Sequence, residues 1–379
     1  MPSFHFMFFE KVVWVATIIL CLISLGCRYI PLRKRGGIGQ PLPNPIGMIL
    51  AIAFFTTFAA LRKDVGDTYY YVLSFEGFKS NNNPLTAELF FTSMFSFFQN
   101  LIRNLTDDPQ WLVAFSSIFA MPMPIYILYK YSYPFDLSLY LFVTYGYVGG
   151  MMNGMRQYMA AAIVLCGTRF LFSKKKTSFI KYAAVIMLAW SMHNSAIIML
   201  PLFFVFRRRA WTFSSYAILL GSVVLTFAFD AILPSFLGAV EDTSYSVYAT
   251  NGWFTSGEEG GASVGRALVS AYPVVIAYMN KNRIKQLGHI GDILTNIAFF
   301  NVAIGIIGTY NWIFTRLGIY LMVYYMIFTA WVTVCAVEPK DKGMYLCMTI
   351  GGFFLYSRYQ GFQIGGYNSD YFFPGMTYA

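Results

Sequence analysis

The segment Gly146–Ala162, GYVGGMMNGMRQYMAAA, joins two apolar runs, and its reading decides the fold. Upstream lies the run 135–152 and downstream 156–172, each close to the roughly 20 residues that an α-helix needs to cross a bilayer. A turn this short between runs this apolar reads as a helical hairpin in lipid, where every backbone group must be satisfied within the helix. Gly146, Gly150 and Gly154 recur every four residues and share one face if the helix continues, so that a second helix or a ligand can approach closely. Such packing does not account for Arg156 and Gln157, which sit with Asn153 in apolar surroundings. Ionisable groups at membrane depth are expensive and mark function.

The rest of the chain agrees with this hairpin. Of 379 residues, 57% are hydrophobic and only 12% charged, whereas soluble domains carry about a quarter charged residues. Such a chain cannot coat a water-facing surface, and at 19% aromatic it is not disordered either. Apolar stretches near 9–28, 46–62, 111–129, 135–152, 156–172, 177–192, 194–207, 212–234, 264–280, 290–309, 315–336 and 343–358 predict about twelve spans. Every second connection is basic, as at Arg33–Arg35, Lys174–Lys176 and Arg207–Arg209. The positive-inside rule makes those connections cytoplasmic and places both termini outside. Segment 85–103 carries Glu88, Gln99 and Asn100, and a crossing there would invert everything downstream. It is therefore expected as a re-entrant or interfacial helix, with a thirteenth span as the alternative. The whole chain, 1–379, reads as one integral membrane domain with long outer loops at 63–110 and 236–263.

Net charge is +10, which in so apolar a chain means basic loops rather than a nucleic-acid footprint. The five cysteines form no CxxC pair, and His5, His193 and His289 lie far apart, so a disulfide framework, a zinc site or a haem is not expected. The cytoplasmic loops are too short for a nucleotide-binding domain. GASVG (261–265), SKKK (173–176) and the sequon at Asn104 match short motifs without the context that would give them meaning.

Five arginines stand at outer helix ends against the positive-inside bias: Arg62, Arg156, Arg266, Arg316 and Arg358. Arginine grips phosphate through a planar charged fork, so their convergence suggests a polyanionic ligand; snorkelling to lipid headgroups is the competing account for any one of them. The stretch FAALRKDVGDTYYYVLSF (58–75) adds Asp64, Asp67 and the tyrosines Tyr69–Tyr71 on the same side. A carboxylate there can orient a sugar hydroxyl or accept its proton. The tyrosines, Tyr71 among them, can stack on sugar faces or simply belong to an interfacial belt. His193, in LAWSMHNSAIIMLP, interrupts a further hairpin and is either a satisfied structural residue or a general base.

These pieces resemble one family. RKDVGDTYYY (62–71) resembles the R-x-x-x-G-x-D-x-x-x-Y segment of the EpsG branch of Wzy-like polysaccharide polymerases. MNGMRQYMAAAIVL (152–165) is similar to its M-N-x-x-R-Q-x-x-A segment, HNSAIIMLPLFF (193–204) to its H-x-S-A-x-x-x-L-P segment, and TRLGIYL (315–321) to a late R-x-x-x-Y helix start. The aromatic tail YNSDYFFPG is also similar, whereas NNNPLTAELF (81–90) lacks the Glu-Pro pair that the family more often shows, which leaves Glu88 without a role. The resemblance implies an all-α polytopic membrane fold with a GT-C-like cavity opening outward. It implies a glycosyltransferase of the bacterial cytoplasmic membrane that joins oligosaccharide repeats carried on undecaprenyl diphosphate, donor and acceptor both lipid-linked, with a flippase and a chain-length regulator as partners. The expected catalytic residues are Arg156, His193, Asp67 and Arg316. Arg62, Asp64, Asn153, Gln157, Arg266 and Tyr71 are expected to bind substrate, without metal or cofactor. A lipid-linked oligosaccharide ligase would differ in acceptor and so in product ladder. A transporter or flippase would place charge at mid-membrane and show repeat symmetry.

Overall fold

The computed structural model describes residues 4–32, 36–37, 39–63, 65–79, 82–240, 262–359, 367, 369 and 371, with side chains outside 4–7 and 230–240. Asp64, the basic residues 33–35 and most of the loop 236–263 and of the tail lie outside the described residues.

Apolar sequence makes helices almost everywhere. The first part of the chain forms α1 (Phe4–Arg28), α2 (Ile46–Ala60), α3 (Thr68–Glu76), α4 (Ala87–Thr92) and α5 (Met94–Leu105). The middle forms α6 (Gln110–Ala120), α7 (Pro122–Tyr131), α8 (Phe135–Thr144), α9 (Tyr147–Asn153), α10 (Met155–Cys166), α11 (Thr168–Leu171), α12 (Ser178–Met192), α13 (Met199–Phe206) and α14 (Phe213–Val240). The last part forms α15 (Val264–Met279), α16 (Lys281–Ile284), α17 (Gly288–Gly308), α18 (Met322–Trp331) and α19 (Lys342–Tyr359). Two 3₁₀ turns, Asn194–Ile198 and Trp312–Tyr320, lie before α13 and α18. No strand occurs among the described residues.

Packing is ordered from the inside out. Every residue of α18 is buried, as is every residue of α10 except Arg156 and Cys166. Around this centre, α1 exposes Val15, Ile18 and Leu22, α14 exposes Leu220 and Phe227, and α15 exposes Leu268. Meanwhile Arg62, Gln99, Asn296 and Asn301 are buried. Apolar side chains outside and polar groups inside are what lipid demands of a helical protein. The two ends of the chain close on each other: Tyr367 stacks on Phe58 with ring centroids 4.2 Å apart and donates to the Phe58 carbonyl at 2.7 Å, and Arg358 forms an ion pair with Glu10.

Helix lengths do not reproduce a count of about twelve crossings. Among the described residues, Phe8–Arg28, Gln110–Tyr131 and Lys281–Gly308 are long and apolar enough to cross singly, and the pair Trp312–Tyr320 and Met322–Ala336, bent by 71°, makes a fourth. Several other apolar helices, such as Ile46–Ala60, Met155–Cys166 and Ser178–Met192, run to 10–17 residues, and the backbone breaks inside some of the expected spans, whereas α14 extends over 28 residues. Gly146 takes a left-handed φ of 87° between α8 and α9, and Gly154 ends α9. The glycines of the deciding segment therefore divide it rather than line one continuous helical face. Segment 85–103 likewise splits at Ser93 into α4 and α5. The 12 residues of α5 rise about 18 Å, short of a hydrocarbon core of about 30 Å, which suits a helix that does not cross alone.

Candidate active site

The breaks are where the candidate side chains gather. After α2 the chain turns through Val65, Gly66 and Asp67, with Gly66 at a φ of 54°. The positive φ strains any other residue there, and a Cβ on Gly66 would collide with Oδ1 of Asn153. That oxygen accepts a hydrogen bond from the Asp67 backbone at 2.7 Å. Asn153, expected to touch substrate, thus spends its acceptor on holding Asp67 in place.

Arg62 lies beneath this turn and is fully buried. Its Nη1 donates to the Ala59 carbonyl at 2.6 Å and to Ser117 Oγ at 2.8 Å, and its Nε donates to Thr68 Oγ1 at 3.2 Å. Thr68 Oγ1 is itself 3.1 Å from the Met152 carbonyl. Sealed from solvent, and with Nε and Nη1 engaged inside the protein, Arg62 ties α2, α6 and α9 together, while its Nη2 is buried without a partner among the described residues.

Above the turn, Arg156 opens α10 with an exposed side chain whose guanidinium carbon is 5.4 Å from the centre of the Phe95 ring. Arg316, on the 3₁₀ turn before α18, stands over Trp312 at 4.8 Å and pairs with Asp67 at 3.8 Å. Tyr71 lies within electrostatic reach of Arg156, Asp67 and Arg316, its hydroxyl against the Arg156 backbone. Burial pushes the Tyr71 phenol up, and the two arginines pull against it.

His193 completes the group. It ends α12, and burial first, then Arg156 and Arg316, lower its imidazole to about 4. The ring is therefore neutral in the physiological range. Its Nδ1 is 2.8 Å from Ser195 Oγ, which is also 2.8 Å from the Tyr320 hydroxyl. The buried Gln157 amide donates to the Arg316 carbonyl at 2.9 Å and to Ser195 Oγ at 3.3 Å. Gln157, expected at the ligand, is thus a strut between the two 3₁₀ turns.

Two further arginines stand apart. Arg266 interacts electrostatically with Tyr145, Tyr158 and Tyr356, and Tyr158 in turn with Arg316. Arg358 is tied to Glu10. The five outer arginines thus do not meet in one place: Arg156 and Arg316 face the carboxylate and the imidazole, with Arg266 beside them. Ser195, Tyr320, Phe95 and Trp312 were not among the expected site residues; only Ser195, in the H-x-S-A segment, and Tyr320, in the R-x-x-x-Y segment, stood at motif positions. Among the described residues no three His, Cys, Asp or Glu side chains gather as metal ligands. A cleft of about 600 Å³ lies elsewhere, at the opposite ends of α8 and α19, lined by Arg28, Asp136 and Lys342 and sharing no residue with this cluster.

The family model for the EpsG family matches residues 46–374 and spans every residue of the cluster. The chain belongs to the EpsG family. With its several apolar helices, this EpsG-family chain is a polysaccharide-polymerase-like membrane protein. No curated protein and no solved structure matches it.

Proposed function

We propose that this protein is a glycosyltransferase that polymerises oligosaccharide repeats carried on undecaprenyl diphosphate, at the outer face of the bacterial cytoplasmic membrane. The observation that supports it is the meeting of Arg156 and Arg316, from distant parts of the chain, on His193, Asp67 and Tyr71. Among the described residues Arg156 has no carboxylate partner, and Arg316 has only the 3.8 Å contact with Asp67. Two guanidinium forks so placed suit a diphosphate.

The growing chain on its lipid diphosphate is the donor, and a hydroxyl of the incoming lipid-linked repeat is the nucleophile. As the glycosidic oxygen departs, charge develops on the lipid diphosphate, and Arg156 and Arg316 stabilise it, with Arg266 nearby. Fixed charge aimed at developing charge is the strongest stabilisation such a site commands. His193 or Asp67 takes part in moving the acceptor proton, a contribution of about 10²–10⁴ in rate. Asn153 and Gln157 hold Asp67 and Arg316 in position rather than gripping sugar. The lipid-linked oligosaccharide, a flippase and a chain-length regulator are the partners this reading requires.

The experiment is complementation of a polymerase-deleted strain. Arg156→Lys keeps the charge and loses the fork, and it is expected to accumulate in the membrane without making a polysaccharide ladder. A wild-type ladder from that variant removes Arg156 from the reaction, and a single-length product from the parent protein would favour a ligase.

A further inference from the structure

His193 caps the 3₁₀ turn that follows it with its own ring. The Ser195 backbone N–H donates to Nδ1 at 3.3 Å, and the Ser195 hydroxyl is at 2.8 Å from the same nitrogen. A backbone amide is always a donor, so Nδ1 presents its lone pair to it. In a neutral imidazole the remaining proton then sits on Nε2. Among the described residues Nε2 has no partner, and it is not enclosed. The flanking Arg156 and Arg316 oppose a second proton on the ring.

We propose that His193 serves the transfer as a neutral hydrogen-bond donor, its Nε2–H directed at an anionic oxygen of the diphosphate, and that Asp67 is the base. This rests on the polymerase reading and divides two roles that reading leaves shared. A ring with Nδ1 engaged and Nε2 protonated has no lone pair to offer the acceptor hydroxyl. Asp67 does: its backbone is pinned by Asn153, and its carboxylate is held by Arg316 at 3.8 Å, beyond hydrogen-bonding distance. A diphosphate that takes Arg316 leaves this carboxylate free. The acceptor oxygen then bonds to the anomeric carbon, the carbon–oxygen bond to the diphosphate breaks, and the electron pair leaves with the lipid diphosphate. The acceptor proton passes to the Asp67 carboxylate and from there to water. Ser195 is a positioning residue, acting through the tautomer it fixes.

The test replaces the ring by groups that keep only one of its abilities, with purified protein and its lipid-linked repeat. His193→Gln retains an N–H donor and has no basic nitrogen; its kcat is expected to fall by about tenfold or less, while His193→Ala and Asp67→Asn fall by at least about 10²-fold. A His193→Gln as inactive as His193→Ala, beside an active Asp67→Asn, would overturn the assignment. Chemical rescue of His193→Ala gives a second readout that does not depend on how well the glutamine is accommodated. Imidazole restores turnover and 1-methylimidazole, which lacks an N–H, does not; rescue by both would mean that the lone pair is what matters. Arg156→Lys and Arg316→Lys are run alongside. If these also polymerise normally, it is the diphosphate reading of the whole site that fails, not the division of labour between His193 and Asp67.

Discussion

Arg62 and the pair Arg156 and Arg316 stand on the two sides of one turn, and their surroundings differ in kind. Arg62 is sealed from solvent and hydrogen-bonds Ala59, Ser117 and Thr68. Arg316 keeps a third of its side chain exposed beside Asp67, and Arg156 is exposed over Phe95. A cation withdrawn from water persists only where its donors are met. Where the protein meets most of them, as at Nε and Nη1 of Arg62, arginine braces the fold; where it leaves them open beside an aromatic ring, the proposed function makes arginine a receptor for an anion. Position at a helix end does not distinguish the two.

That contrast predicts different losses on the two sides. The largest belongs to the open side: Arg316→Lys should lower the polymerisation rate by about 10²–10³-fold with little change in thermal unfolding in detergent. If it unfolds early instead, Arg316 is a brace as well. On the sealed side, Arg62→Ala strands buried acceptors at about 1–3 kcal/mol each, so the thermal midpoint and membrane yield drop while the folded fraction keeps measurable activity. Full stability with no activity would place Arg62 at the ligand after all.

Gly66→Ala lies between the two sides. A left-handed φ costs a non-glycine residue about 1–3 kcal/mol, and the new methyl group would collide with Asn153. Displacement of Asp67 should lower kcat more than it raises KM, and an unchanged kcat would show that the turn does not position the carboxylate. A smaller effect follows from His193. Its folded value, about 4, lies below the unperturbed 6.5, with Arg156 and Arg316 facing the ring. The unfolded chain therefore binds the proton first, and the stability this supplies is complete above 6.5 and fades as pH falls toward 4. Wild type should lose thermal stability relative to His193→Gln across that window; parallel curves would mean an ordinary imidazole. Least of all for the reaction, Glu10→Gln breaks the pair between the buried Glu10 and the half-exposed Arg358, and polymer length should not change.

Much of this was legible in advance. The apolar runs marked the helices to within a few residues, since lipid leaves the backbone no other way to satisfy itself. Arg156, His193 and Arg316 stood out because charge and imidazole between apolar runs need a reason. The finer roles were hidden. Asn153 and Gln157 read as ligand donors because nothing local shows that their amides are engaged by Asp67, Arg316 and Ser195. Gly146 and Gly154 read as a packing stripe because a repeat of four is silent on whether the helix bends. Phe95 was part of an awkward segment until α5 folded it against Arg156 and Tyr71.

What the sequence alone determined is therefore the helical, lipid-embedded character of the chain and the identity of its out-of-place polar residues, because both follow from the local cost of placing groups in hydrocarbon. Which of those residues meet, and which are consumed in holding the others, was decided by tertiary structure alone. Hydrogen-bond partners 86 or 159 residues apart in the chain, such as Asn153 with Asp67 and Gln157 with Arg316, exist only once the helices have packed.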